Sequence, residues 1–265
     1  MRLVQSFLCV ALAAHVWAAE PTKLSLAEQE EFLKTAKVMS TRAAKGGITG
    51  SLRATLSDGR ITHDAQIQSI DESKMRFEGS RGVEMNFRDT YKFNVAGYRL
   101  GKLLGINMIP PSVERTYQGT GAAYTWWVDD VMMDEAGRTG KKLASPDPEN
   151  WNDQMHVVRV FDQLIFNTDR NLGNLLITKD WNIWMIDHTR TFRISHDLLN
   201  VKNLSKCDRG LLEAMRKLDA ASLKTGMGGS VTAAELQGIL KRRDKILQFF
   251  EKAGESSLYT LAARP

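Results

Sequence analysis

One short stretch of the chain, NTDRNLGNLLITKDWNIWMID (167–187), carries three polar side chains whose types and spacing could do chemistry. Asp169 is followed five residues later by Asn174, and Asp187 comes thirteen residues after Asn174. The apolar segments between them predict a tight hairpin around 179–182. Because the two ends of a short hairpin lie close together, the three side chains can meet at its open end.

Oxygen-bearing side chains of this kind suit one class of chemistry in particular. Carboxylate and amide oxygens are the ligands that hard divalent cations prefer, and a carboxylate left free can orient a hydroxyl and accept its proton. A cation that neutralises phosphate charge and a base beside the attacking group are what phosphoryl transfer requires. The alternative is structural: Asp169 and Asn174 would be turn residues, and Asp187 would cap the end of a strand.

A predicted helix precedes Asp169 and leads into the hairpin. The segment WNDQMHVVRVFDQLIFN (151–167) repeats apolar residues at helical spacing and ends just before Asp169. Its predicted apolar face consists of Met155, Val158, Phe161, Leu164 and Ile165. The preceding stretch, GRTGKKLASPDPEN (137–150), is rich in Pro, Gly and polar residues, which predicts a loop and a boundary between two lobes.

The first part of the chain alternates strand and helix patterns. A helical pattern within 24–44 opens with Ser25 and Glu28, which have the spacing of a capping box. Period-two alternation on both sides of a Ser-Asp-Gly turn at 57–59 predicts a β-hairpin or meander. A second helix is predicted within 87–106, and two further strands follow it.

Helical patterns fill most of the last sixty residues, where Thr232 and Glu235 form another predicted capping box. Strands with one helix thus come first, and helices with one hairpin follow. This order predicts an α+β fold with two lobes, a small β-rich N-terminal lobe with one main helix and a mostly helical C-terminal lobe that carries the hairpin.

The predicted fold divides the chain into four segments. They are a signal peptide at 1–18, an N-terminal helix at 19–45, the N-terminal lobe at 46–136 and the C-terminal lobe at 151–265.

The signal peptide is predicted from MRLVQSFLCVALAAHVWAAE, which has one Arg, then an apolar run, then small residues before the expected cleavage site. This pattern favours a cleaved secretory signal over a membrane anchor. We therefore expect an exported protein, periplasmic or secreted, with no transmembrane segment after signal removal.

The charge and the cysteine content argue against nucleic-acid binding and against an internal disulfide. Without residues 1–18 the chain has 35 basic and 31 acidic residues, a net charge of about +4. It also lacks a run of Lys and Arg, so that nucleic acid is not an expected partner. Cys9 would leave with the signal, and Cys207 would then have no partner for an internal disulfide. We expect Cys207 to be a buried small residue.

The sequence around Asp169, Asn174 and Asp187, called the trio below, resembles that of a known family. FDQLIFNTDRNLGNLLI, followed by MIDHTRTF, resembles the core of the atypical kinase superfamily. Its type II phosphatidylinositol 4-kinases, HipA-type kinases and secretory-pathway Golgi casein kinases carry N-x-D-R-x-x-x-N and then I-D-x-G-x-x-F. VAGYRLGKLLGINMIPPSV also resembles the αC helix and the next strand of these kinases, and TWWVDD the strand that enters the hinge between the lobes. The resemblance covers roughly residues 48–200.

The resemblance implies a two-lobed protein-kinase-like fold and a role for each residue of the trio. Asp169 would be the catalytic base, and Asn174 and Asp187 would bind Mg²⁺ or Mn²⁺ together with ATP or another nucleotide. Arg170 would orient either the loop or the phosphates. Asp129, at the predicted hinge, would contact the nucleotide or remain a solvated loop residue.

Two positions depart from the family pattern together. Active kinases pair a Lys on the third strand with a Glu on the αC helix to hold the α- and β-phosphates. In this chain Gln68 stands where that Lys belongs and Asn94 where that Glu belongs, so both charges are replaced by amides. Such a pair can form a hydrogen bond at the cofactor site, but it supplies no positive charge. Lys74, Lys92 or Arg53 could replace the missing cation, although a solvated surface position also suits each of them.

Three smaller departures occur near the phosphate-binding elements. Thr189 stands at the Gly of the metal motif, and His188 replaces the usual Phe or Asn. The turn KGGITGS (45–51) contains glycines but not the full G-x-G-x-x-G pattern. The sequence therefore supports a kinase-like fold more firmly than it supports kinase activity.

Three hypotheses follow, and we favour the first. The chain is a phosphotransferase that uses a nucleotide and Mg²⁺ to modify an unknown phospho-acceptor. Alternatively, it is a catalytically impaired pseudokinase that serves as a nucleotide-binding, metal-binding or scaffold protein. The third possibility is a small secreted structural domain in which the trio is turn chemistry.

Overall fold

The computed structural model describes residues 24–44, 50–79 and 82–262. The expected signal peptide (1–18) and most of the glycine-containing turn at 45–51 lie outside these ranges. Within them the chain folds into a β-rich N-terminal part followed by a mainly helical part, which confirms the predicted two-lobed α+β architecture.

A five-stranded antiparallel sheet forms the centre of the N-terminal lobe, in the spatial order β1-β2-β3-β7-β6. Its strands are β1 (Lys37–Ala43), β2 (Leu52–Ser57), β3 (Thr62–Gln68), β6 (Ser112–Tyr117) and β7 (Thr120–Trp126). The predicted hairpin is β2–β3, in which Leu52 lies opposite Ile67. The alternating residues Ala54, Leu56 and Ala65 are fully buried, as their spacing predicts.

Helix α1 (Leu26–Thr35) packs on this sheet and begins with the predicted capping box. The Ser25 side chain accepts a hydrogen bond from the Glu28 N–H, and the Glu28 side chain accepts one from the Ser25 N–H. Phe32 and Leu33 enter the core of the N-terminal lobe. The helix is thus held by its cap at one end and by apolar contacts at the other.

The N-terminal helix is much shorter than the 19–45 segment that we expected. It ends at Thr35, and Ala36 has an extended backbone with φ −61° and ψ 142°. The residues Lys37–Ala43 instead form β1, which pairs antiparallel with β2. The pairing of a whole strand outweighs the weak helical pattern, and the β-branched Val38 and Thr41 fit a strand well.

A β-hairpin outside the main sheet precedes the main helix of this lobe. It consists of β4 (Asp71–Gly79) and β5 (Gly82–Thr90), and α2 (Lys92–Leu103) follows directly. The expected helix at 87–106 therefore starts five residues late, because its first residues pair with β4. Gly105 follows the helix with a left-handed backbone (φ 69°), the conformation that glycine adopts most easily after a helix.

The C-terminal lobe is built around one long helix and a three-stranded sheet of order β10-β9-β8. Its first elements are β8 (Val131–Asp134), α3 (Glu135–Gly140), α4 (Pro148–Ile165), β9 (Leu175–Thr178) and β10 (Ile183–Met185). The segment predicted as a loop at 137–150 therefore contains the end of α3 and the start of α4. Asp147 caps α4 through the Asn150 N–H, and Pro148 occupies the first helical position.

The remaining elements cover α4 on its other side. They are β11 (Cys207–Asp208), α5 (Arg209–Lys217), α6 (Ala220–Met227), α7 (Ala233–Ala253) and β12 (Leu258–Tyr259). Thr232 and Glu235 form the predicted capping box of α7. Cys207 is fully buried in the large apolar cluster of this lobe, as expected.

Candidate active site

The end of α4 positions the first residue of the trio. The chain leaves the helix at Phe166, a non-glycine residue with a left-handed backbone (φ 52°), and turns back towards the hairpin. The Asn167 side chain accepts a hydrogen bond from the Asp169 N–H at 3.0 Å and donates one to Asp162 on α4 at 2.9 Å. Asp169 is therefore tied to the helix through one buried amide.

Arg170 holds the loop and the hairpin together. Its guanidinium pairs with Asp162, with Nε and Oδ2 3.0 Å apart, and both side chains are almost buried. Its Nη1 also donates to the carbonyl oxygens of Asn174 at 3.0 Å and Ile186 at 2.8 Å. Of the two roles considered for Arg170, orienting the loop is the one that its contacts match.

These contacts bring the three predicted residues together at the open end of the β9–β10 hairpin. The Asn174 side chain donates to the Asp169 carbonyl oxygen at 3.3 Å. The Ile186 N–H, next to Asp187, donates to the Asn174 carbonyl oxygen at 3.1 Å. The convergence that the spacing predicted is thus produced by backbone and amide contacts.

Asp187 has an unusual backbone and an unfavourable electrostatic environment. Its φ of 54° lies in the left-handed region, which Asp tolerates better than most residues. The Thr189 hydroxyl donates to its Oδ1 at 3.1 Å. Burial nevertheless raises the pKa of the Asp187 carboxyl, and the negative charges of Asp89 and Asp169 raise it further. A cation bound to this carboxylate would offset the cost of its buried charge and the repulsion by Asp89 and Asp169.

The residue after Asp187 connects this loop to helix α2. His188 is buried, and burial together with the charge of Arg170 lowers its pKa well below the usual value, so the ring is neutral. Its Nε2 lies 3.2 Å from Nη2 of Arg170 and can accept a hydrogen bond from it. Its backbone N–H donates to Oδ1 of Asn94 at 2.8 Å.

Asn94 and Gln68 form the amide pair that the sequence suggested. Asn94 Nδ2 donates to Gln68 Oε1 at 2.6 Å, and both residues are buried. Gln68 ends β3 and Asn94 lies in α2, so the pair joins these elements as a Lys–Glu pair does in an active kinase. Since Asn94 also binds the His188 N–H, the pair reaches the Asp187 loop.

Asp129 and the three possible replacements for the missing Lys contact side chains outside the trio. Asp129 follows β7 and lies 3.0 Å from Nε2 of His63, whose ring stacks on Trp126. Each possible replacement for the missing Lys has an acidic partner of its own. The pairs are Lys74 with Glu72, Lys92 with Asp71 and Arg53 with Asp64.

The structure adds two charged residues that sequence reasoning missed. Asp89, at the end of β5, is 7% exposed, and burial raises the pKa of its carboxyl. Arg190 lies between Asp89 and Asp169, with nitrogen–oxygen distances of 3.8 Å and 3.7 Å. Arg190 carried a weak sequence signal as the third residue after Asp187. Asp89 carried none, because it lay in a segment predicted to be helical.

A cavity of about 630 Å³ opens on one side of Asp169. The tip of the β4–β5 hairpin forms one wall, including Phe77, Val83 and Met85, and the segment from Arg190 to Leu199 forms another. Thr168 and Asp169 lie at its edge. A volume of this size is typical of sites for small molecules or a short peptide segment.

The described residues contain no group of three or more His, Cys, Asp or Glu side chains arranged to hold a metal ion. The donor set of the trio is smaller, with one carboxylate from Asp187 and one amide oxygen from Asn174. Magnesium is commonly held by one or two carboxylates plus substrate phosphates. The residues present therefore fit a cation that arrives with a nucleotide better than a resident metal centre.

The fold is similar to those of solved kinases. Hydra Fam20 with a sugar matches with a TM-score of 0.64 and 12% identity, over 89% of this chain and 92% of that one. The Golgi casein kinase with Mn and ADP bound matches with a TM-score of 0.60 and 12% identity, over 89% and 78%. The Helicobacter pylori proinflammatory kinase CtkA matches with a TM-score of 0.51 and 10% identity, over 81% and 92%. No protein-family model and no curated protein sequence matches the chain.

The chain thus has an atypical kinase-like fold, with an antiparallel sheet in the first lobe and a helical second lobe. This confirms the kinase-like fold that the resemblance of the motif implied. None of the helices in the described part of the chain has the length and apolarity needed to span a lipid bilayer.

Proposed function

We propose that the chain is a phosphotransferase that uses a nucleotide and a divalent cation. The observation that carries the proposal is the convergence of Asp169, Asn174 and Asp187 in a kinase-like fold. A neighbour in structure, the Golgi casein kinase, binds Mn and ADP. Burial, together with the charges of Asp89 and Asp169, raises the pKa of the Asp187 carboxyl, and a bound cation would offset the cost of its negative charge.

Each residue has a definite part in the proposed reaction. Asn174 and Asp187 would hold Mg²⁺ or Mn²⁺ through oxygen ligands, and the cation would neutralise phosphate charge. Asp169 would accept the proton of an acceptor hydroxyl while that oxygen bonds to the γ-phosphorus and the bond from γ-phosphorus to ADP breaks. Arg170 would keep the loop in place without touching the reactants. Gln68 and Asn94 would border the nucleotide.

The cavity beside Asp169 would receive the acceptor. It places apolar side chains of the β4–β5 hairpin opposite the proposed base, and it lies outside the set formed by Gln68, Asn94 and Asp187. A sugar is present in the hydra Fam20 structure, and another neighbour is a casein kinase, so both sugar and protein hydroxyls are acceptors to test.

A transfer assay with γ-labelled ATP and Mg²⁺ or Mn²⁺ tests the proposal. The protein itself, casein and simple sugars would be offered as acceptors. We expect label transfer or ATP hydrolysis by the wild type and a loss of roughly 10²–10⁴-fold in Asp169→Asn, the usual contribution of a general base. Asp180→Asn, at an exposed carboxylate in the turn of the same hairpin, should keep the activity.

Equal turnover by the wild type and Asp169→Asn would overturn the proposed role of Asp169. If the wild type binds nucleotide but transfers no phosphate under any of these conditions, the pseudokinase hypothesis replaces the enzyme. The observation that favours this second candidate is the buried Gln68–Asn94 pair, which supplies no positive charge to phosphate.

We also propose that the protein is exported. The support is the signal-like pattern of residues 1–18, together with a neighbour in structure that is a Golgi enzyme. Mass spectrometry of the mature N-terminus would test the cleavage after Ala18. Protein recovered only inside the cell, with residues 1–18 still attached, would contradict export.

A further inference from the structure

Arg190 is fixed beside the proposed base by its own backbone. Its carbonyl oxygen accepts hydrogen bonds from the Thr168 N–H at 3.3 Å and from the Thr168 hydroxyl at 2.9 Å. Thr168 directly precedes Asp169, and Arg190 is the third residue after Asp187. The backbone of Arg190 is therefore held beside Thr168, one residue before the proposed base.

The guanidinium of Arg190 is positioned without using its hydrogen-bond donors. It lies over the rings of Phe87 and Phe77, with 4.9 Å and 5.5 Å to the ring centroids. The distances of 3.7 Å to Asp169 and 3.8 Å to Asp89 are those of ion pairs without a hydrogen bond. Within the described part of the chain its side chain makes no hydrogen bond, although a guanidinium carries five N–H donors.

Other arginines nearby are engaged differently. Arg170 donates to Asp162 and to two carbonyl oxygens. Arg193 donates to the Arg88 carbonyl oxygen at 2.6 Å and pairs with Glu84. Arg242 donates to three carbonyl oxygens and is fully buried. These side chains hold the fold together through hydrogen bonds, whereas the Arg190 side chain makes none to the described residues and is 27% exposed at the edge of the cavity.

The site also has a deficit of positive charge. Gln68 occupies the position of the usual phosphate-binding Lys, and its amide oxygen is bonded to Asn94. Lys74, Lys92 and Arg53 each pair with an acidic residue elsewhere in the N-terminal lobe. Asp89, Asp169 and Asp187 add negative charge to the place where phosphates would lie.

We propose that Arg190 binds the phosphoryl group that is transferred, and so supplies from the C-terminal lobe the positive charge that Gln68 cannot provide. The inference rests on the proposed nucleotide-dependent function. A planar fork of donors suits phosphate oxygens, and the position beside Asp169 is where the acceptor hydroxyl and the terminal phosphate must meet. On arrival of phosphate, the guanidinium would exchange its long contact with Asp169 for direct hydrogen bonds.

A series of ligands of increasing phosphate content tests this assignment. Affinities for adenosine, ADP, ATP and tripolyphosphate, each with Mg²⁺, would be measured by calorimetry for the wild type, Arg190→Gln and Arg190→Lys. Loss of a charge-assisted bond weakens binding roughly ten- to a hundredfold. We expect that loss for ATP and tripolyphosphate in Arg190→Gln, little change for ADP and adenosine, and an intermediate effect in Arg190→Lys.

Arg209→Gln is the matched control, because Arg209 pairs with Glu255 on the surface of α5. It should bind every ligand as the wild type does. The double change Gln68→Lys with Asn94→Glu, introduced into Arg190→Gln, should restore much of the ATP affinity by returning a cation to the site.

The outcomes separate this inference from the proposed function. Wild-type affinity for ATP in a folded Arg190→Gln variant would overturn the inference alone. Equal losses for adenosine, ADP and ATP would also overturn it, since they indicate a structural role. If the wild type binds no nucleotide, the proposed function fails. Binding of tripolyphosphate that depends on Arg190 would then still support the anion site, and its independence from Arg190 would overturn it.

Discussion

Asp187 is held in a conformation and an environment that cost energy. A left-handed backbone at a non-glycine residue costs on the order of 1–3 kcal/mol, and such strain is often found at functional sites. Here it coincides with burial and with two neighbouring carboxylates that raise the pKa of Asp187. The surrounding contacts from Thr189 and Arg170 keep the loop in this conformation.

Removing the charge of Asp187 should therefore stabilise the free protein. A carboxyl whose pKa is raised by folding contributes stability below its unfolded pKa and loses it as the pH rises through the folded pKa. In chelator and without nucleotide, we expect Asp187→Asn to raise Tm at neutral pH by roughly 2–4 °C, the shift that about 1 kcal/mol gives in a domain of this size. The gain should shrink as the pH falls towards 4, where about half of the unfolded Asp187 carboxyls are protonated. Thermal unfolding between pH 4 and pH 8 measures it.

Asp197→Asn is a control of opposite sign. The exposed Asp197 pairs with Lys245, which lowers the pKa of its carboxyl, so its loss should not stabilise the protein at neutral pH. A lower Tm for Asp187→Asn than for the wild type across the whole pH range would show that the carboxylate stabilises the fold and would contradict this account of the site.

The trio could be found from the sequence because its residues are close along the chain. Five and thirteen residues separate them, and one helix and one hairpin bring them together. Asp89 and Arg190 could not be given roles in this way, because their positions depend on the fit of the β4–β5 hairpin against the second lobe. The hydrogen bond between Gln68 and Asn94 could be predicted from the sequence, because the kinase pattern aligns both positions.

At the level of elements, the contact between α2 and the Asp187 loop is made possible by a glycine. A Cβ atom added to Gly97 would lie 3.1 Å from Cγ of His188. His188 has little room to move, because it is buried and bonded to both Arg170 and Asn94. The distance between α2 and the Asp187 loop is thus set by the absence of a side chain at position 97.

Gly97→Ala should destabilise the protein although alanine is the better helix former. The gain in helix propensity is about 1 kcal/mol, whereas overpacking a rigid contact costs roughly 1–3 kcal/mol. We expect a net loss of about 1 kcal/mol in urea unfolding, together with weaker nucleotide binding, since the displaced helix carries Asn94. The control is Gly140→Ala at the end of α3, where nothing lies within 4 Å of the added Cβ. A stability gain in both variants would contradict the proposed close contact.

The elements that sequence patterns predicted were those with strong local signals. Capping boxes, alternation in β2–β3 and the apolar face of α4 all lie within single segments. The pattern failed at β1 and at β4–β5, where strand pairing with distant residues decides the conformation. Helical periodicity in 37–43 and 87–90 was a local preference that the sheet contacts outweighed.

At the scale of the whole molecule, the two lobes are joined through the proposed site. The Thr90 N–H donates to the Thr189 carbonyl oxygen at 3.0 Å, and the His188 N–H donates to Asn94. Arg88 of the β4–β5 hairpin also pairs with Glu235 at the start of α7. A ligand bound at Asp187 would thus contact the loop that links the lobes, and its binding energy should appear in the stability of the entire protein.

Thermal unfolding with ATP plus Mg²⁺ or Mn²⁺ tests the central claim most directly. Ligand at about a hundred times its Kd adds about 2.7 kcal/mol to the native state, which gives a rise of roughly 5–10 °C in a domain of this size. We predict such a rise for the wild type only when nucleotide and cation are both present. Asp187→Asn should start from a higher Tm and show little or no rise. No rise in the wild type at millimolar nucleotide with either cation would contradict the account.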